Sequence, residues 1–195
     1  ISSQFLTGLL LSLPMAQNDT TIYVNNLKSL PYVDMTIETA RRFGVEIAHK
    51  DYQEFFIEGN QRYTATNYQI EGDWSGAAPM LVAGAVAGEV TVENMSRLSL
   101  QADTAIIKAL INAGAEVEST DTSVTVRRRK LKAFEFDATH CPDLFPALAS
   151  LAANCEGTSI IYGTERLLHK ESNRAATLAE EYAKTGIEID IDEPN

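Results

Sequence analysis

Basic side chains are scarce in this 195-residue chain: 16 Lys and Arg stand against 27 Asp and Glu, a formal net charge of −11. Neutralising a phosphate backbone or an anionic lipid surface needs clustered cations that outnumber nearby acids, so nucleic-acid and membrane-surface binding are not expected. The one basic run, Arg127-Arg128-Arg129-Lys130, lies between two β-rich stretches and reads as a solvated strand end. Cysteine is scarce as well. Cys141 and Cys155 lack the close pairing that a structural zinc or redox motif needs, which fits a reduced, cytoplasmic protein. Long apolar runs are absent: residues 5–16 are too few to span a bilayer, contain Pro14, and follow no basic segment of the kind a secretory signal carries.

What is present is enough apolar side chain for a sizeable core, 45% of residues, arranged in a repeat. The phrase Gly44-Val45-Glu46-Ile47 recurs as Gly114-Ala115-Glu116-Val117 and as Gly186-Ile187-Glu188-Ile189. Each copy follows an amphipathic stretch (Ile37, Ala40, Phe43; Ile106, Leu110, Ala113; Leu178, Ala179, Tyr182), which predicts a helix stopped at glycine and turning into a strand. Upstream in each copy an apolar helix begins at small or polar residues, over 2–15, 75–87 and 142–153. A β-branched strand follows, over 20–24, 89–92 and 158–162. Alternating strands are expected before the second and third apolar helices, at 68–71 and 134–137. The unit is about seventy residues of strand, helix, strand, helix, strand, strand. The first copy has no opening strand and the third no closing hairpin, so the sequence reads as a segment of a longer protein, trimmed at both ends, whose cut edges invite self-association.

Four segments, in order, carry a family resemblance: Ser2-Ser3-Gln4-Phe5-Leu6-Thr7, Ser29-Leu30-Pro31-Tyr32-Val33-Asp34-Met35-Thr36, Pro142-Asp143 opening an apolar helix, and His169-Lys170-Glu171-Ser172-Asn173-Arg174. They resemble successive signature segments of EPSP synthases, over essentially the whole chain. The resemblance implies the enolpyruvyl transferase fold, an inside-out α/β architecture of repeated βαβαββ units in two domains that close on substrate. It places residues 1–69 in the first domain and 70–195 in the second, with the crossover near 64–70.

The implied chemistry suits these residue types. Phosphorylated and carboxylated substrates call for hydroxyl and amide donors, helix starts and fixed cations. The resemblance assigns Ser2, Ser3, Gln4, Ser29, Tyr32, Asp143 and Lys170 to shikimate 3-phosphate, and Gln4 and Arg174 to phosphoenolpyruvate. Asp143 becomes the proton acceptor for the substrate's 5-hydroxyl, and Glu171 with Lys170 completes the catalytic set. Read without the family, Ser2, Ser3 and Ser29 are helix caps, Asp143 is a stabilising charge at a helix start, and Tyr32 is a packing residue. Lys170 and Arg174 are four apart, so a helix beginning near residue 170 would project both from one face. Arg166 departs from the family pattern, in which many relatives place Asn, and so do Leu168 and His169. Adjacent His140 and Cys141 point different ways in a strand or turn and lack an orienting third group, so neither a metal site nor a Cys/His pair is expected. No cofactor is implied, and the parent enzyme is expected to be a monomer, with this segment inactive by itself. The alternatives are a transferase acting on UDP-N-acetylglucosamine and a non-catalytic phospho-ligand-binding fragment.

Overall fold

The computed structural model describes residues 3–167 and 172–192. The chain divides into two compact units: Ile1–Ile70 with Leu100–Ala102, and Glu71–Ser99 with Asp103–Asn195.

The first unit runs α1 (Ser3–Ser12), a 3₁₀ turn (Leu13–Met15), β1 (Thr20–Tyr23), α2 (Leu30–Arg42), β2 (Ala48–Lys50) and β3 (Glu54–Ile57). The strands form an antiparallel sheet in the order β1-β3-β2, with Thr20 opposite Ile57 and Ala48 opposite Phe56. In α2, Val33, Thr36, Ile37 and Ala40 fall on one helical stripe and are buried. They pack with Leu6 and Leu10 of α1 and with Phe55 and Ile57, alternate residues of β3 that face one side of the sheet. Pro31 sits in the first turn of α2, where its missing N–H costs nothing.

The second unit contains two successive modules. The first runs α3 (Trp74–Ala87), β4 (Glu89–Glu93), a 3₁₀ turn (Ala102–Ala105), α4 (Ile106–Asn112), β5 (Glu116–Ser119) and β6 (Ser123–Arg127). Its antiparallel sheet has the order β4-β6-β5, the same as in the first unit. Asp73 starts α3 by accepting from the amides of Ser75 (3.0 Å) and Gly76 (3.1 Å). Helix and sheet approach closely at Gly84, where a Cβ would lie 2.8 Å from the Val126 carbonyl oxygen. At the strand end of the basic run, Arg127 pairs with Glu89 (2.6 Å), Glu118 (3.1 Å) and Glu116 (3.4 Å), and Arg129 pairs with Glu116.

The other module has β7 (Glu135–Asp137), a 3₁₀ turn (Pro142–Leu144), α5 (Phe145–Ala152), β8 (Ile160–Tyr162), a 3₁₀ turn (Thr164–Leu167) and α6 (Arg174–Ala183); β7 and β8 pair in parallel.

The recurring glycine phrase is a helix stop, made the same way three times. Gly44, Gly114 and Gly186 take φ of 84°, 92° and 81°. The residue after each donates its amide to a carbonyl five positions back: Val45 to Ala40 (3.0 Å), Ala115 to Leu110 (3.0 Å) and Ile187 to Tyr182 (3.2 Å). This is the Schellman closure, and its left-handed residue favours glycine.

Two expected strands do not form. Residues 68–71 form no strand: Ile70, whose burial would have stabilised one, is 77% exposed. The phrase after Gly186 is likewise strandless through residue 192, and the first copy pairs only from Ala48 onward. An alternating pattern yields a strand only where a neighbouring strand offers hydrogen bonds.

Candidate active site

The helix starts named by the sequence gather within each unit. In the first, the Thr7 and Thr36 hydroxyls hydrogen-bond at 3.0 Å, joining α1 to α2 one turn in from Ser3 and from Tyr32. At the other end, the Tyr63 hydroxyl donates to the Leu11 carbonyl (2.7 Å), and the next residue, Thr64, donates its amide to the Phe43 carbonyl (2.7 Å). The two helices therefore end together and begin together. Ser3 and Gln4 at the start of α1 share an end of this unit with Ser29 and Tyr32 at the start of α2. Gln4 is exposed, whereas Ser29 is buried. Ser29 takes φ 57°, ψ 46° at the cap position, and its hydroxyl does not cap the helix. The simple N-cap reading of this serine is thereby removed. Ser2 lies outside the described residues.

In the second unit, Asp143 occupies the middle of the 3₁₀ turn that leads into α5. The turn is held by the Leu144 amide on the Cys141 carbonyl (3.1 Å) and by complete burial of Leu144. Arg174 is the first residue of α6, whose cap is the Asn173 side chain accepting from the Ala176 amide (3.2 Å). Nη1 of Arg174 donates to Oδ1 of Asp143 at 2.8 Å. The two sequence-predicted residues, assigned to different substrates, thus touch one another. Because α6 begins at Arg174, the condition under which Lys170 and Arg174 shared a helix face is not met. Lys170 and Glu171, like Leu168 and His169, lie outside the described residues.

Sequence reasoning missed Asp103. Its side chain is fully buried and accepts from the Ser75 hydroxyl in the first turn of α3. Its only trace in the sequence is a carboxylate three residues before the apolar Ile106-Ile107. Asp103 also ties this helix start to the next. Burial first, then the charges of Asp103 and Asp137, push the Cys141 thiol up to about 12. The Asp137 carboxyl itself is held below the usual range by the Thr139 hydroxyl and amide. Cys141 stands two residues before Asp143, so the entrances of α3 and α5 are neighbours.

Comparison with known proteins decides the family. A family model described as EPSP synthase (3-phosphoshikimate 1-carboxyvinyltransferase) matches residues 1–194. The chain belongs to the EPSP synthase family. The 3-phosphoshikimate 1-carboxyvinyltransferase of Clostridium acetobutylicum is 41% identical over 190 residues, covering 97% of this chain and 44% of the relative. That of Colwellia psychrerythraea is 39% identical over 192 residues, with 97% and 45% covered. The chain thus spans less than half the length of these curated relatives. The solved EPSP synthase of Acinetobacter baumannii superposes with a TM-score of 0.73 at 26% identity, over 92% of this chain and 42% of the other. The enolpyruvyl transferase NikO of Streptomyces tendae shares the fold at a TM-score of 0.55 and 17% identity, over 86% and 40%. The α/β fold is that of EPSP synthase.

In this EPSP synthase family member a groove of about 430 Å³, lined by Trp74, Arg97, Thr104, Ile107, Lys108, Ile111 and Ser119, contains none of the family's signature residues. The geometry of the helix starts, not the size of a depression, defines the candidate site. Among the described residues no three His, Cys, Asp or Glu side chains group as a metal would require, and no helix is long and apolar enough to cross a membrane.

The position of Cys141 yields a direct test. At pH 8 a thiol with a pKa of about 12 is thiolate at a level on the order of 10⁻⁴, and thiolate is the reactive form. Cys155, raised by lesser burial and only partly covered, is expected to be alkylated well before Cys141 in the folded protein, with both reacting after denaturation. Mass spectrometry showing equal native rates would contradict the buried placement of Cys141.

Proposed function

We propose that this chain supplies part of an enzyme transferring the enolpyruvyl group of phosphoenolpyruvate to the 5-hydroxyl of shikimate 3-phosphate, with release of phosphate. The observation that carries the reading is the Asp143–Arg174 contact, a proton-accepting carboxylate and an anion-holding guanidinium meeting at two helix starts. Family membership over residues 1–194 supports it.

In this reading Ser2, Ser3, Gln4, Ser29 and Tyr32 receive shikimate 3-phosphate through hydroxyl, amide and ring contacts, together with Asp143 and Lys170. Gln4 and Arg174 receive phosphoenolpyruvate, whose carboxylate or phosphate matches the planar donor fork of arginine. Asp143 takes the proton of the 5-hydroxyl as that oxygen bonds to C2 of phosphoenolpyruvate, Glu171 delivers a proton to the methylene carbon, and Lys170 stands on the phosphate ester side of shikimate 3-phosphate. Elimination then breaks the C2–phosphate bond and removes a proton from C3, restoring the double bond. Acid, base and charge stabilisation suffice for both steps, so the chemistry calls for no cofactor. The parent acts as a cytoplasmic monomer in the shikimate pathway.

The test is phosphate release from phosphoenolpyruvate by the longest natural polypeptide carrying this sequence, assayed with two acceptors. Release is expected with shikimate 3-phosphate and not with UDP-N-acetylglucosamine. Release with the nucleotide sugar alone would overturn the assignment.

A further inference from the structure

Arg174 and Asp143 belong to the same unit and their pair is reachable from solvent, the side chains retaining 29% and 38% exposure. The guanidinium offers its donors in one plane matched to a carboxylate or phosphate, and an Asp143 carboxylate oxygen already lies 2.8 Å from Nη1. That carboxylate is chemically the same kind of ligand as the substrate anion assigned to Arg174. Two anions on one edge of a guanidinium repel each other at close range, so they compete for it.

We propose that Asp143 is a built-in competitor at Arg174, which the substrate anion must displace on entering. This rests on the assignment of Arg174 to that anion. The pair keeps weak anions off Arg174. Displacement hands the carboxylate to its proton-accepting task only once the anion is in place. The surroundings allow this without refolding. Asp143 stands on a short turn anchored by buried Leu144 and Phe145, and Arg174 on a capped helix start followed by buried Ala175. Rotation of either side chain opens this contact while these anchors hold.

The experiment is calorimetric titration of inorganic phosphate and of phosphoenolpyruvate into the longest natural polypeptide carrying this sequence, as wild type, Asp143→Asn and Asp143→Glu. Losing one partly exposed ion pair is expected to tighten both anions about three- to tenfold in Asp143→Asn. Asp143→Glu keeps the charge and is expected to bind like wild type. Unchanged or weaker binding by Asp143→Asn, equal tightening by Asp143→Glu, or no anion binding by any form overturns the proposal. Asp143→Ser carries the same expectation where the amide variant fails to fold. Failure of the activity reading stays separate. Tightening of phosphate in a polypeptide that never turns over shikimate 3-phosphate sinks that reading and leaves the competitor in place. Normal turnover with unaltered affinities does the reverse.

Discussion

Asp143→Ala is expected to lower turnover of the longest natural polypeptide carrying this sequence by about 10² to 10⁴, the usual contribution of a positioned general base. Folding should hardly notice. The Asp143–Arg174 pair is about a third exposed, and pairs of that kind contribute on the order of 1 kcal/mol or less. The turn bearing Asp143 is fixed by Leu144 and the Cys141 carbonyl, neither of which the substitution touches. The loss should therefore fall on kcat rather than on KM for phosphoenolpyruvate, which drops or stays level because a competing carboxylate has gone. Steady-state kinetics beside a thermal melt checks both halves. A variant that keeps kcat within tenfold of wild type would remove Asp143 from the chemistry.

The largest effect on stability is expected from Trp74→Ala. Trp74 opens α3, is fully buried, and is the chain's one tryptophan. Truncating a buried tryptophan to alanine removes its apolar surface from the core and leaves a cavity, costing about 3–5 kcal/mol. In a protein of this size that lowers Tm by roughly 10 °C. Circular dichroism is the readout, since the variant has lost its own fluorophore. In the wild type, tryptophan emission reports the second unit alone, so comparing it with circular dichroism tests whether the two units melt together. A loss below about 1 kcal/mol would mean that the ring is not packed as described.

The helices were legible because their signals are local. Val33, Ile37 and Ala40 form a stripe that any aqueous chain would bury, and the three glycine stops are written in consecutive residues. The strands were less so. Residues 68–71 alternate as β6 does, but only β6 has neighbours on both edges to accept its hydrogen bonds. That difference is set by residues far off in sequence. The site divided in the same way. Asp143 and Arg174 were proposed from their motifs, whereas their contact joins residues 31 apart and follows from how α5 and α6 begin. Asp103 escaped because a buried acid looks like any other acid until the Ser75 hydroxyl is seen against it.

The Schellman stops have a modular consequence. Each one sets the length of its helix from six consecutive residues, the glycine included, independently of the sheet beyond. A unit built this way carries its own ruler. It can be duplicated in tandem, and its strand connections can drift in sequence, while the opposite ends of the helices, where α2 and α6 carry the proposed substrate groups Tyr32 and Arg174, stay aligned.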